Sequence, residues 1–135
     1  NTIAESMSAW LLLDVKSKRP QRPNQVLPSE LFSENVDQEN LPSKLADFEA
    51  VENCSELKVR PFDLDMNNHV NNVSYIRWVE DFCISDSIIF SELLINYISE
   101  AVLREQIVIS SIKSDGGFLL SGKSNHKPVF LVSVR

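Results

Sequence analysis

Apolar and polar positions in the second half of the chain predict one helix followed by a series of strands. A helix with a single buried stripe is predicted by apolar residues that recur every three or four positions, namely Val73, Ile76, Val79 and Cys83. Further apolar segments, separated by turn sequences around Gly116 and Asn125, predict strands at 93–101, 106–112, 118–124 and 128–134. This order predicts an α+β fold in which the helix covers one face of an antiparallel sheet.

The first half of the chain is less regular. Residues 6–16 are rich in apolar side chains and predict a strand, which a basic, proline-containing run then ends. Residues 23–47 are acidic and broken by three prolines, so they predict a linker with a short helix over 29–33. The second unit is expected to start near Phe48, with a half-buried strand around Leu57.

A cluster of short polar side chains precedes the predicted helix. The ten residues from Asp63 to Asn72 contain two Asp, four Asn and one His. Asn and Asp favour turns and helix N-caps, so the cluster fits a loop that caps the helix. The same position faces free backbone N–H groups and the positive end of the helix dipole, which suits a developing oxyanion. From the residue types alone, a capping loop and an active-site loop are equally supported.

Composition excludes several classes of function. The 135 residues contain 43% hydrophobic residues, enough for one domain with a core, and their net charge of −6 argues against a general nucleic-acid binder. No apolar run approaches the roughly 20 residues that span a membrane, and no signal-peptide or nucleotide-binding pattern is present. Cys54 and Cys83 lack metal-ligand spacing, so they are expected to be free or buried thiols unless they form a disulfide.

The polar loop and the start of the helix carry a recognisable motif. The sequence from Asp65 to Trp78, D-M-N-N-H-V-N-N-x-x-Y-I-x-W, resembles the signature of the acyl–acyl-carrier-protein thioesterases, a branch of the hot-dog superfamily. The resemblance implies a hot-dog fold, in which an antiparallel sheet wraps around one long central helix.

A second stretch is similar to the same family. Residues 8–14, S-A-W-L-L-L-D, and the K-R-P that follows at 18–20 resemble the end of the first of two hot-dog domains in these thioesterases. This match implies that residues 1–22 are the last strand of a truncated first domain. Residues 23–47 would then be the linker, and residues 48–135 the second, catalytic domain.

The resemblance also implies an activity. Family members hydrolyse the thioester of an acylated carrier protein and release a free fatty acid in fatty acid biosynthesis, without a metal or a cofactor. The matching positions here are Asp65, Asn67 and His69 in the loop, and Glu100 in the segment Y-I-S-E at 97–100. By resemblance, Glu100 is the general base for water. Asn67 and His69 orient water and substrate, and Asp65 holds Asn67 and His69 in place. Backbone N–H groups at the helix start are expected to bind the oxyanion.

Each of these residues also has a structural explanation when taken alone. Asp65 fits a turn or cap residue, His69 an ordinary loop histidine, and Glu100 a carboxylate at the end of a strand. Some family members carry a cysteine directly after this glutamate. Here the position is Ala101, which argues against attack by a thiol and favours hydrolysis driven by a carboxylate.

The aromatic and amide residues around the helix start are expected to be structural. Asn71 and Asn72 are expected to cap the helix, and Tyr75 and Trp78 to lie in the core or line a pocket. His126 is expected to be a turn residue.

Two other functions fit the same residues. One is a single hot-dog acyl-CoA thioesterase that acts as a homodimer, and the other is a non-catalytic hot-dog module that binds acyl chains. For the thioesterase, the expected partner is an acyl carrier protein, with no nucleic acid and no membrane involved, and self-association through sheet edges is expected. The expected location is the cytoplasm, or the plastid stroma if the chain comes from a plant.

Overall fold

A computed structural model describes residues 1–17, 19–31, 41–49 and 52–135 of the chain. These residues form two compact units, 1–43 and 44–135. All the candidate site residues belong to the second unit. None of the helices in the described ranges is long and apolar enough to cross a membrane.

The described part of the first unit contains little regular structure. Helix α1 covers Pro23–Val26, and a 3-10 turn covers Ser29–Leu31. The 3-10 turn confirms the start of the helix predicted over 29–33, whose last two residues lie outside the described ranges. The strand predicted over 6–16 is wrong, because the pairing described there is one isolated bridge between Leu13 and Pro20. A strand requires a ladder of hydrogen bonds to a neighbour, and here the chain turns at 15–17 and pairs only across that turn.

The described part of the second unit is built on an antiparallel sheet. Its five strands are β1 (Asn53–Lys58), β2 (Leu93–Tyr97), β3 (Gln106–Ser114), β4 (Gly117–Ser124) and β5 (Lys127–Val134). They lie side by side in the order β1-β3-β4-β5-β2, and all neighbours are antiparallel. The long helix α2 (Asn72–Ser85) shares one apolar core with the sheet. The predicted α+β class is therefore confirmed, and the arrangement is the hot-dog fold.

Two tight hairpin turns connect the last three strands, as predicted. Gly116 has a φ of 82° between β3 and β4. Asn125 and His126 have φ values of 48° and 65° between β4 and β5. Two consecutive left-handed residues match the twist of a hairpin, and Asn accepts this conformation more readily than most residues. His126 is thus a turn residue, as expected.

The buried face of α2 differs from the predicted stripe. Tyr75, Trp78, Val79, Phe82 and Cys83 are buried, and they form a face at i, i+3 and i+4 spacing. The sequence predicted Val73 and Ile76 on that face. Their solvent-exposed fractions are instead 58% and 38%. The physical reason is that large aromatic side chains bury more apolar area than Val or Ile, so the helix turns them toward the sheet. The helix itself, and the core positions of Tyr75 and Trp78, are confirmed.

Strand β2 is shorter than predicted, and this changes the setting of Glu100. The strand ends at Tyr97 because the N–H groups of Ile98 and Ser99 both donate to the same carbonyl, that of Val129. Sharing one acceptor takes the chain out of the regular ladder. Glu100 therefore lies in the loop between β2 and β3, and not on a strand as expected.

One close contact in the sheet depends on a glycine. Gly122 on β4 is paired with Phe130 on β5, and the Phe130 ring lies over the Gly122 Cα. A Cβ at position 122 would overlap the ring carbons. Phe130 is fully buried in the core, so its ring has little space to move aside.

We expect Gly122→Ala to lower the free energy of unfolding by about 1–3 kcal/mol, the usual cost of overpacking a core. Urea unfolding measures this change. Glycine is otherwise unfavourable inside a strand, so a neutral or stabilising result would contradict the proposed overlap. In a Phe130→Leu background, the cost of Gly122→Ala should become smaller.

Candidate active site

The polar loop before α2 is a closed turn. Leu64 and Val70 form an isolated bridge at its base. Inside it, the Asp65 N–H donates to the His69 carbonyl at 2.8 Å, and the Asn68 N–H donates to the Asp65 carbonyl at 3.1 Å. Asn68 has a φ of 63°, a left-handed conformation that Asn accepts more readily than most residues. The run of Asn and Asp thus has a local cause in the geometry of the turn.

The Asp65 carboxylate organises this turn from within. Its Oδ1 accepts hydrogen bonds from the N–H groups of Asn67, at 2.8 Å, and His69, at 3.2 Å. Its Oδ2 lies 3.4 Å from the side-chain nitrogen of Asn67. Burial acts to raise the pKa of Asp65, but the hydrogen bonds from Asn67 and His69 outweigh it and hold that pKa below its ordinary value. Asp65 therefore stays ionised and fixes the backbone around His69.

A second set of contacts joins the turn to the loop that carries Glu100. His69 forms a bridge with Val102, and the Val70 N–H donates to the Ala101 carbonyl at 3.0 Å. These bonds place the two residues that directly follow Glu100 next to the polar turn. Residues that are far apart in the sequence are thereby brought into one cluster.

Two side chains in this cluster that can exchange protons, those of His69 and Glu100, face each other. His69 Nε2 lies 3.4 Å from Glu100 Oε2. The His69 side chain is 37% exposed and that of Glu100 65%, so water reaches both. The structure thus brings all four predicted residues together. His69 and Glu100 are in direct contact, Asp65 bonds the His69 backbone from inside the turn, and Asn67 contacts Asp65.

The start of α2 offers fewer free donors than the sequence suggested. Asn71 is the N-cap, and its side-chain oxygen accepts from the Val73 N–H at 3.0 Å. The Asn71 carbonyl accepts from the Ser74 N–H at 2.8 Å. Asn72 is the first residue of the helix rather than a cap. Because the N–H groups of Val73 and Ser74 already have partners, the expected oxyanion site cannot use them without breaking the cap.

Tyr75 has a polar contact that the sequence did not reveal. Its hydroxyl accepts a hydrogen bond from the Ala101 N–H at 3.1 Å. Burial is the main reason that the pKa of Tyr75 lies above its ordinary value, and the nearby carboxylates of Glu105 and Glu100 raise it further. The phenol is therefore neutral over the physiological range. The sequence signal for this residue was its place in the N-N-x-x-Y motif, which was interpreted as packing.

The two thiols are not placed for nucleophilic attack. Cys83 is 1% exposed on the buried face of α2, and burial together with Asp86 raises the pKa of its thiol. A raised thiol pKa leaves little reactive thiolate near neutral pH. Cys54 is an exposed free cysteine on β1, at the edge of the sheet.

A separate groove of about 230 Å³ lies between β1 and α2. Its floor includes Leu57, Trp78 and Phe82, and its rim includes Arg60 and Arg77. None of the four candidate residues lines this groove.

Comparison with known proteins identifies relatives of this fold. A family model described as the acyl-ACP thioesterase C-terminal domain matches residues 47–127, more than half of the chain. No curated protein matches the chain significantly.

Three solved structures illustrate the structural similarity. The 12:0-ACP thioesterase from Umbellularia californica is 21% identical with a TM-score of 0.71, over 91% of this chain and 52% of that chain. An acyl-ACP thioesterase from Bacteroides thetaiotaomicron VPI-5482 is 19% identical with a TM-score of 0.70, over 90% of this chain and 51% of that chain. The probable thioesterase YbaW from Escherichia coli is 23% identical with a TM-score of 0.53, over 60% and 77%. The matched region thus spans about half the length of the first two proteins, and at these identities the likeness concerns the fold.

The hydrogen bonds to Asp65 predict a pH dependence. Its pKa is lowered in the folded state, so ionised Asp65 stabilises the fold at pH values above its ordinary value of 3.8. This stabilisation is lost as the pH falls through the lowered value. We expect Asp65→Asn to be less stable than the parent at about pH 7, with the difference shrinking toward roughly pH 3.

Urea unfolding at a series of pH values measures this difference. Asp81→Asn, the same change at an exposed position on α2, controls for the altered net charge. A difference between parent and Asp65→Asn that stays constant with pH would contradict an ionised, hydrogen-bonded Asp65.

Proposed function

The chain belongs to the acyl-ACP thioesterase C-terminal domain family, and we propose that it hydrolyses the thioester of an acylated carrier protein to release a free fatty acid. The contact between His69 and Glu100, supported by the turn around Asp65, is the observation that carries this proposal. Release of a fatty acid from its carrier ends a round of fatty acid biosynthesis. The expected location is accordingly the cytoplasm, or the plastid stroma in a plant.

In the proposed reaction, Glu100 acts as the general base. Its carboxylate takes a proton from a water molecule while the water oxygen attacks the thioester carbonyl carbon. The carbonyl oxygen becomes negatively charged in the tetrahedral intermediate, so it needs donors nearby. The carbon–sulfur bond then breaks, and the proton held by Glu100 passes to the departing thiolate. The products are a fatty acid and the free thiol of the carrier.

His69 and Asn67 have supporting roles in this proposal. The His69 ring contacts Glu100 directly and can hold both the carboxylate and the bound water in one orientation. The Asn67 side chain lies against Asp65 and is kept at the same turn. A general base helps only when it is held within hydrogen-bond reach of the water. Asp65, which fixes the backbone of the turn, therefore acts through the other two residues.

Hydrolysis assays on the parent and on Glu100→Gln test the function. We expect the parent to hydrolyse carrier-bound acyl groups faster than the same groups on coenzyme A. Glu100→Gln should lower kcat by about 10²–10⁴-fold, the usual contribution of general-base catalysis, with little change in the fold.

Glu80→Gln, which makes the same change at an exposed residue of α2, is the matched control and should keep the parent's kcat. Faster hydrolysis of acyl-CoA would favour the acyl-CoA thioesterase instead. No hydrolysis of either substrate would favour a non-catalytic module that binds acyl chains. A Glu100→Gln kcat within a few-fold of the parent would remove Glu100 from the mechanism.

We also propose that a second hot-dog unit covers the open side of this site. Strand β2 is at the edge of the sheet, with no further strand beside it in the described ranges. Close to Glu100 along the chain, Ile98, Val102 and Leu103 are 45%, 49% and 42% exposed. Exposed apolar side chains beside an edge strand favour pairing with another sheet.

The division of the chain follows from the same proposal. Residues 48–135 are the catalytic hot-dog domain, residues 23–47 the linker, and residues 1–22 belong to the end of a first hot-dog domain. The second sheet then comes either from such a domain or from another copy of this chain.

Multi-angle light scattering of the 135-residue chain tests this assembly. We expect a dimer or a larger species at tens of micromolar, because β2 is an edge strand with exposed apolar side chains beside it. Ile98→Glu should weaken the association. Ile84→Glu, at an exposed position near the end of α2, should not. A fully active monomer would contradict the proposal and favour a self-contained small thioesterase.

A further inference from the structure

The residue that follows Glu100 is hydrogen-bonded through both of its backbone polar groups. The Ala101 carbonyl accepts from the Val70 N–H at 3.0 Å, and the Ala101 N–H donates to the Tyr75 hydroxyl at 3.1 Å. Ala101 is completely buried. The Ala101 N–H belongs to the peptide unit between Glu100 and Ala101, here called the Ala101 peptide. Because the Glu100 side chain starts from the Cα at one end of this peptide, the position of the peptide sets the origin and direction of that side chain.

The bond to Tyr75 differs from the other described hydrogen bonds of this loop because its acceptor lies on α2. The N–H groups of Ile98 and Ser99 donate to a backbone carbonyl of β5, and that of Arg104 donates to the Val59 carbonyl. The Val102 N–H donates to the Glu105 side chain, within the loop itself. At Ala101 the acceptor is the Tyr75 hydroxyl, so a substitution that removes this oxygen removes the hydrogen bond from the loop to the helix.

Tyr75 itself is held firmly. It is 3% exposed, and its ring contacts those of Trp78, Tyr97 and Phe130, with centroids 5.2, 5.6 and 5.4 Å away. Contacts from several directions leave the ring little freedom, so the hydroxyl occupies one fixed point. A hydrogen bond to a fixed point defines a position better than one to a mobile side chain.

We propose that Tyr75 is a positioning residue for Glu100 that acts through the Ala101 peptide. This inference rests on the proposed role of Glu100 as general base. Tyr75 does not touch the substrate or the water. Its hydroxyl accepts the buried Ala101 N–H and so keeps the Glu100 carboxylate against His69. Without the hydroxyl, that N–H has no acceptor among the described contacts, and the peptide turns to find one.

Tyr75→Phe tests this role, because it removes one oxygen and leaves the packed ring. We expect kcat to fall about 10- to 100-fold, the range that a small misplacement of a catalytic group causes, while KM stays within about twofold. Tyr97→Phe is the matched control, since the Tyr97 hydroxyl donates to the Asn72 carbonyl and not to the Glu100 loop. It should keep the parent's kcat. Equal losses in both variants would overturn the proposal.

A double-mutant cycle separates positioning from a general loss of stability. If Tyr75 acts through Glu100, then Tyr75→Phe added to Glu100→Gln should lower kcat no further. An additional loss as large as that seen in the parent would show that Tyr75 acts by another route and would overturn the proposal.

Nuclear magnetic resonance gives a measurement that does not depend on activity. The chain contains two histidines, His69 beside Glu100 and His126 in the β4–β5 turn. We expect Tyr75→Phe to shift the His69 ring signals toward their positions in Glu100→Gln, with the His126 signals unchanged. An unmoved His69 signal would overturn the positioning role even in a protein that hydrolyses thioesters. A shifted His69 signal in a protein that hydrolyses no thioester would support the positioning role and count against the proposed function alone.

Discussion

Ala101 is the residue on which the geometry of the candidate site depends. Its carbonyl is bonded to the polar turn through Val70, and its N–H is bonded to α2 through Tyr75. These bonds are made where Ala101 is fully buried, so losing either one leaves a polar group without a partner. These bonds hold the polar turn, α2 and the loop after β2 together. Glu100 lies where the three parts meet.

In the hot-dog fold, Ala101 lies at the border between the sheet and the helix. The loop from β2 to β3 leaves the sheet as soon as Ile98 and Ser99 share the Val129 carbonyl. The chain then passes the start of α2, where Asn71 caps the helix. The same border is partly exposed, so Glu100 is reached by water while the adjacent Ala101 is buried. A rigid backbone with an accessible carboxylate is what general-base hydrolysis requires.

Local chemistry explains what the sequence could predict. The turn residues Asn125 and His126, the capping role of Asn71 and the existence of α2 all follow from interactions between near neighbours in the chain. The face that α2 buries was predicted in part: Val79 and Cys83 are buried as expected, but Val73 and Ile76 are not, because the choice of face depends on the sheet packed against the helix. The strand predicted over 6–16 failed for a similar reason, since a strand forms only where a partner is available.

Residue patterns in the sequence predicted only part of the candidate site. The cluster around Asp65 was visible as a run of short polar side chains, but the contact of His69 with Glu100 joins distant segments and was implied only by the family resemblance. The role of Tyr75 stayed hidden because an aromatic residue on a helix is usually explained by packing. Its hydroxyl became informative only when the structure placed it at the Ala101 N–H.

A single turnover in water labelled with the heavy isotope of oxygen, with the protein in excess over carrier-bound substrate, tests whether a water molecule activated by Glu100 attacks the thioester directly. With direct attack, we expect the released fatty acid to carry one labelled oxygen and Glu100 to carry none. Labelled oxygen in the Glu100 carboxylate, together with an unlabelled fatty acid, would mean that Glu100 is acylated first and would contradict direct attack by water.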